Sequence, residues 1–209
     1  MTSLLLTAFE AFHDFKINSS LEVVKHLSST VMLENVDTAI LPVNASQAPS
    51  MITDLLTSRK PEFCLMLGQM ENYTFNPALL VERLAINLCD FSIPDNAGMR
   101  LVDEPIIQDG PLMYYSTAPV RRVVEEINAT GTPAYLSLSA GAFICNMVYY
   151  TALHVCATRQ LSTRCLFIHL PRLPSQFKNY ENPSFAMDLD SMCNGVLAAI
   201  HACESSQCI

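Results

Sequence analysis

The stretch PAYLSLSAGAFICNMVYY spans Pro133–Tyr150, and its reading decides the fold. Pro133–Ser139 is a short run rich in leucine and tyrosine, and it reads as a strand. Gly141 breaks it. From Phe143 to about Thr158 the chain is apolar on almost every side, which predicts a buried helix rather than a surface one. RCLFIHL (Arg164–Leu170) follows as the next strand. Strand, turn, buried helix and strand form a β-α-β unit, whose two strands lie parallel with the helix covering one face. Cys145 sits where this unit leaves its first strand and enters the helix. A cysteine beside Phe143, Ile144 and Met147 is ordinarily a small core residue, so any other role must come from the rest of the chain.

The same alternation continues outward. SLLLTAF (Ser3–Phe9) reads as a buried strand, and Ser19 with Glu22 has capping-box spacing ahead of LEVVKHL. VDTAILPV (Val36–Val43) is a second strand, followed by a helix from about Ala45 to Ser58. EFCLMLG (Glu62–Gly68) and VERLAIN (Val81–Asn87) are a third and a fourth. APVRRVVEEINATG (Ala118–Gly131) is an amphipathic helix, and Ser184–Glu204 forms the last one. Between them, Phe91–Pro111 holds three prolines and two glycines and reads as a long loop or short hairpin. Loops of that length inside a compact domain are often functional. The order predicts one α/β domain over residues 1–209, a three-layer α/β/α arrangement around a mainly parallel twisted sheet.

Composition narrows the function classes. Of 209 residues, 50% are hydrophobic and 15% charged, a globular balance. The net charge is −8 with no long basic run, which argues against nucleic acid and anionic membrane as partners. No stretch reaches the roughly 18–20 apolar residues of a membrane span. MTSLLLTAFEAF reads as a first strand and not as a signal peptide. A cytoplasmic location is therefore expected, with thiols kept reduced. The eight cysteines show no CxxC and no metal-ligand spacing.

In a parallel α/β sheet, ligands bind beyond the carboxyl ends of the strands. Cys145 and His169 both lie there. A helix N-terminus offers Cys145 free backbone N–H groups and partial positive charge, and a neighbouring imidazole would take its proton. Of the five histidines, His169 alone ends a strand. An acid should orient that imidazole. Glu82 stands in an otherwise apolar strand, and its neighbour Arg83 points to the opposite face, so Glu82 needs another partner.

The wording of the segments adds to this spacing. SAGAFICN (Ser139–Asn146), VERLAIN, IPDNAG (Ile93–Gly98) and FIHLP (Phe167–Pro171) together closely resemble the pyroglutamyl peptidase I family of cysteine peptidases. LLTAFEAFHDFKINSSLEVV (Leu5–Val24) is similar to that family's first strand and Phe-rich turn. DEPIIQDGPLMYYSTAPV (Asp103–Val120) is similar to the stretch after its PDN motif, and the likeness runs from Leu4 to Pro174. It implies Cys145 as nucleophile, His169 as general base and Glu82 as the acid that orients it. It also implies an α/β/α fold, no metal or cofactor, a cytoplasmic homo-oligomer (dimer or tetramer), and N-terminally pyroglutamylated peptides as substrates. Phe9, Phe12, Ile93, Phe143 and Ile144 match the lining of the family's lactam pocket. Pyroglutamate is small, uncharged and without a free amine, so an apolar slot suits it. Backbone groups near Gln69 and Phe12 are expected to bond the lactam.

The chain departs from the family in places. The N-terminal turn reads Thr7-Ala8-Phe9-Glu10-Ala11-Phe12-His13, lacking two glycines and a proline of the usual pattern. Ser92 stands where an arginine is common, Ala142 replaces a threonine, and the loop Met70–Ala78 is long and without Lys or Arg. These departures leave two alternatives to a peptidase: a weak or inactive relative that binds small lactams or amides, and a redox sensor built on Cys145.

Overall fold

Leu4–Phe9 is buried at every position, and so is Phe63–Gln69. Strands that read as unbroken apolar runs must be covered on both faces, and in this chain they are. The structure, a computed structural model, describes residues 3–30, 35–70, 77–177 and 183–204. In chain order its elements are β1 (Leu4–Phe9), α1 (Ser19–Thr30), β2 (Val36–Leu41), α2 (Gln47–Arg59), β3 (Phe63–Gln69) and β4 (Leu79–Glu82). They continue with β5 (Leu84–Ile86), β6 (Met113–Tyr115), α3 (Val120–Ala129), β7 (Ala134–Ser137), α4 (Ile144–Thr158), β8 (Arg164–Leu170) and α5 (Leu189–Glu204). Most of the Met70–Ala78 loop, residues 71–76, lies outside the described residues, as does Cys208.

The main sheet runs β2-β1-β3-β8-β4-β7. All its pairings are parallel except β4 with β8. The expected α/β sheet flanked by helices is what forms. One face packs Leu6, Leu65 and Ile168 under α1, α3 and α5, through Val23, Leu27, Val123 and Val196. The other packs Leu5, Met66 and Phe167 under α2 and α4, through Ile52, Leu56, Val148 and Leu153. α4 is buried along most of its length, as its nearly all-apolar sequence predicts.

Three boundaries differ from expectation. Val81–Asn87 is not one strand. It breaks at Arg83, whose N–H donates to the Ser137 carbonyl and whose carbonyl accepts from the Ser116 N–H. The chain thereby leaves the main sheet, and β5 pairs antiparallel with β6 in a small second sheet. Helix α1 is capped by Asn18 rather than by a Ser19–Glu22 box. Asn18 Oδ1 accepts from the Ser20 N–H at 3.0 Å, and its carbonyl takes the Glu22 N–H. α5 begins at Leu189 instead of Ser184, because Asp188 Oδ1 accepts the Ser191 N–H at 2.8 Å and caps the helix there. The Phe91–Pro111 stretch is a folded-back loop, pinned by backbone bonds between Cys89 and Glu104, Phe91 and Leu101, and Asp95 and Met99.

Candidate active site

The carboxyl ends of β1, β3 and β8 and the N-terminus of α4 converge on one cavity of about 250 Å³. α4 starts after Phe143, which is extended and gives no side-chain cap. The first backbone bond into the helix comes from Met147 to the Phe143 carbonyl. Among the described residues the N–H groups of Ile144 and Cys145 therefore have no acceptor. Gly141 precedes this start with φ +79°, a left-handed turn that suits glycine.

Cys145 sits in the first turn of α4, half-buried, with its thiol against β3. A β-carbon on Gly68 would lie 2.9 Å from Cys145 Sγ and 2.7 Å from the Phe167 ring. Glycine at 68 is what leaves room for the thiol. His169, next to last in β8, is hydrogen-bonded to Cys145. Its Nδ1 lies 2.8 Å from Glu82 Oε1. Glu82 is fully buried at the end of β4. The antiparallel β4–β8 register sets Leu80 opposite His169, so Glu82 is the diagonal neighbour on the same face. This is the partner that Glu82 lacked in the sequence, and the β4–β8 pairing supplies it.

Burial pulls the pKa of His169 down. The hydrogen bond and charge of Cys145, and then those of Glu82, outweigh burial and raise it from 6.5 to about 10. The sulfur and the carboxylate beside the ring thus favour its protonated form. The ring is steadied on its apolar side by Phe167, at 4.8 Å between centroids. With Glu82 on one nitrogen and Cys145 as its other partner, the imidazole can pass a proton between the sulfur and a group in the cavity.

Cys145, His169, Phe9, Phe12 and Ile93 all line the cavity, and so do Gln69, Phe143 and Ile144. Glu82 lies behind His169 and does not line it. Phe143 is wedged between Phe91, edge-on at 4.7 Å, and Phe12 at 6.4 Å. The Phe-rich turn is tied to the IPDN loop. Glu10 Oε1 accepts from the Val43 N–H at 3.0 Å and from Asn96 Nδ2 at 2.9 Å. His13 takes φ +53°, so the turn keeps a left-handed position without glycine.

Gln69 differs from expectation in the group it offers. Its Oε1 accepts from the Ser19 N–H and from Gln176 Nε2, both at 2.8 Å. Its own Nε2 is buried without a partner. The side-chain amide, not only nearby backbone, is thus a spare donor at this cavity. Asn18, Val43, Met70 and the Ser139–Gly141 turn complete the wall, and of these Val43 carried no signal in the sequence. Asn18 stands between the Phe-rich turn and α1 and is buried. Its Nδ2 donates to the Glu10 carbonyl at 3.0 Å, bracing the turn that carries both phenylalanines.

Comparison with known proteins places this arrangement. Residues 2–206 match the peptidase C15 family model, described as pyroglutamyl peptidase. A pyrrolidone-carboxylate peptidase of Vibrio vulnificus is 38% identical over 204 residues, covering 97% of this chain and 93% of the relative. One from Treponema denticola is 34% identical over 202 residues, covering 95% and 92%. The crystal structure of Bacillus amyloliquefaciens pyroglutamyl peptidase I superposes with TM-score 0.90 at 30% identity, covering 100% of both chains. The pyrrolidone carboxyl peptidase of Fervidobacterium islandicum gives 0.89 at 33%, covering 96% and 97%. By the family match over residues 2–206 and these relatives, the chain belongs to the pyroglutamyl peptidase family of cysteine-type exopeptidases.

Proposed function

We propose that this chain removes N-terminal pyroglutamate from peptides through Cys145, His169 and Glu82. The observation that carries the reading is the 2.8 Å contact between His169 and Glu82 with Cys145 on the other side of the ring, at the floor of the apolar cavity. The lactam ring lies among Phe9, Phe12, Ile93, Phe143 and Ile144, and the spare Gln69 amide donates to its carbonyl. Cys145 Sγ attacks the pyroglutamyl carbonyl carbon as thiolate. The oxyanion forms beside the unpaired N–H groups of Cys145 and Ile144. His169 gives its proton to the leaving nitrogen as the C–N bond breaks, which leaves a thioester. Water, deprotonated by His169, then adds to the thioester carbonyl, and the sulfur leaves. Glu82 holds the ring in place and offsets its charge in each step. A lactam-binding protein or a redox sensor would have no need of a buried Glu82 aimed at His169.

The substrate is thus an N-terminally pyroglutamylated peptide, and the reaction needs no metal or cofactor. A cytoplasmic setting suits a thiol nucleophile that must stay reduced. The homo-oligomeric state rests on the family likeness and the high apolar content. Release of a reporter amine from a pyroglutamyl amide tests the reading, beside the matching prolyl amide. Hydrolysis of the first and not the second is expected, with discrimination of roughly 10⁴-fold. Cys145→Ala should retain less than about a thousandth of the activity. Comparable turnover of the two amides, or an active Cys145→Ala, would refute it.

A further inference from the structure

Two side-chain amides stand in series behind the cavity, and neither is free to turn over. Gln176 comes first. It ends the short 3₁₀ turn Pro174–Gln176 that follows β8. Its N–H donates to the Leu173 carbonyl at 3.0 Å, and its Oε1 accepts the Leu173 N–H at 2.8 Å. A backbone N–H can only donate, so Oε1 is fixed on it and Nε2 must point the other way. There Nε2 donates to the Ile17 carbonyl at 3.0 Å and to Gln69 Oε1 at 2.8 Å.

Gln69, at the end of β3, comes second. Its Oε1 takes the Gln176 donor and the Ser19 N–H, both at 2.8 Å. A flipped Gln69 would set its own Nε2 against those two donors, with no acceptor among the three groups. The amide is therefore held in the orientation that leaves Nε2 buried and without a partner. An unpaired buried donor is costly. Its retention in a residue that lines the cavity points to an acceptor brought by the ligand. Leu173 lies four residues past His169, so the backbone leaving the strand of the imidazole fixes which end of the Gln69 amide is spare.

We propose that Gln176 is a positioning residue for substrate recognition: it holds the Gln69 amide with its donor spare, and so makes the slot select a ring that carries a carbonyl. This rests on the peptidase reading above. Gln176 does not line the cavity and acts only through Gln69. The Ser19 N–H favours the same orientation of Gln69. Removing the Gln176 donor therefore loosens the amide, while replacing it with an acceptor turns the amide over, so that oxygen and not N–H is spare.

The test measures inhibition of pyroglutamyl-anilide hydrolysis by two neutral ring amides, 3-oxocyclopentanecarboxamide and cyclopentanecarboxamide. They differ only in the ring carbonyl, so the ratio of their inhibition constants reads that one contact. In wild type the oxo ring should bind about 10- to 100-fold more tightly, as for a buried donor that is paired in one complex and unpaired in the other. Gln176→Glu should bring the ratio to about one or below, and Gln176→Met should lower it about three- to tenfold. Methionine matches the length of half-buried Gln176, so Gln176→Met should keep the fold even where the carboxylate of Gln176→Glu does not. In Gln69→Met the ratio should start near one and stay there when Gln176→Met is added, because the two residues act as a unit. A purely structural role would lower the unfolding midpoint and leave the ratio in place. No hydrolysis of the pyroglutamyl anilide by wild type would overturn the peptidase reading and this inference with it. Hydrolysis with an oxo ring that inhibits no better than the plain ring, or with a ratio unmoved in Gln176→Met, would overturn the inference alone.

Discussion

Gly68 lies directly against the Cys145 thiol, and a β-carbon there would meet the sulfur at 2.9 Å. The glycine sits in β3, between Leu67 and Gln69, with no turn to account for it. Its use is to let α4 press its first turn onto the sheet so that Sγ reaches His169. Gly68→Ala should push the thiol off its seat and strain the Phe167 ring, which the same β-carbon would meet at 2.7 Å. Overpacking of this kind costs about 1–3 kcal/mol of stability. The drop in kcat should be larger, on the order of 10²-fold, because an ångström of misplacement is felt at the reacting atoms. Turnover and thermal unfolding measured on the same preparation separate the two effects. Unchanged kcat would show that the thiol does not depend on this seat.

Glu82→Gln tests the second partner of His169. Glutamine keeps the shape and an acceptor oxygen but loses the charge. The histidine pKa of about 10 owes its rise, against burial, first to Cys145 and then to Glu82. It should therefore fall in the variant, and the alkaline limb of kcat/KM should move to lower pH. The sign for stability follows from linkage. A raised histidine pKa stabilises the fold fully below about 6.5, and that stabilisation is lost as pH rises towards about 10. Wild type should lose stability across that window, and Glu82→Gln should lose less. An alkaline limb that stays in place would remove Glu82 from the set.

Asn146 follows Cys145 in the chain and is fully buried. Its Oδ1 accepts from the Ile86 N–H at 3.0 Å, and its Nδ2 donates to the carbonyls of Ile86 and Leu88 at 2.9 and 3.0 Å. It thus fastens the first turn of α4 to the segment that continues from Glu82. Asn146→Asp turns a carboxyl oxygen towards two carbonyls, and destabilisation of about 3 kcal/mol or more is expected. Asn146→Leu leaves the Ile86 N–H and the Leu88 carbonyl unpaired, while the Ile86 carbonyl keeps the Leu88 N–H, and should cost about 2 kcal/mol or more. Because Asn146 acts by position, kcat should fall while KM changes little. Chemical denaturation beside steady-state kinetics checks this, and an increase in KM alone would contradict it.

His13 occupies a left-handed backbone position, φ +53°, that glycine takes at no steric cost. A non-glycine residue there costs roughly 1–2 kcal/mol in backbone energy, partly offset because glycine is freer in the unfolded chain. His13→Gly should stabilise the protein by about 1 kcal/mol, read as a higher midpoint in denaturant. The exposed ion pair of His13 with Asp14, 3.8 Å apart, contributes little that would be lost. A lower midpoint would mean that the side chain braces the turn.

Much of the architecture was legible because β1, β3 and β8 carry long apolar runs and α3 is strongly amphipathic. Those patterns are local. The break at Arg83 was not legible, since it depends on the carbonyl of Ser137, far along the chain. Nor was the antiparallel entry of β4 beside β8, yet that register brings Glu82 to His169. The reacting residue types could be picked from strand ends and a helix start. The unpaired Gln69 Nε2 could not, because it is defined by the partner it lacks in the folded chain. The Asn18 cap was missed for a smaller reason: Ser19 has the right spacing to Glu22, but its hydroxyl is buried and unpaired, while Asn18 reaches both the helix and the Glu10 carbonyl.

Ser92 bears on rate. It lines the rim of the cavity and is exposed, next to Phe91, whose carbonyl accepts from Arg100 Nε at 2.8 Å. A cation therefore already stands one residue from the position where relatives often carry arginine. Arg100 comes from the folded-back Phe91–Pro111 loop itself. Loss of a buried, preorganised donor typically costs about 3 kcal/mol. An exposed position is screened by water and salt, so the gain from Ser92→Arg should be smaller, roughly two- to tenfold in kcat. Substitution at Arg100 should matter more once Ser92 is the only neighbour, so Arg100→Gln should slow the wild type and have less effect on Ser92→Arg. The two changes should be non-additive, as expected for charges serving one place. Raising the salt from about 0.05 to 0.5 M should shrink the Ser92→Arg gain, since added ions shorten the reach of a rim charge. A gain that persists at high salt would point to direct contact with substrate, and no gain at any salt would place Ser92 outside the reacting centre.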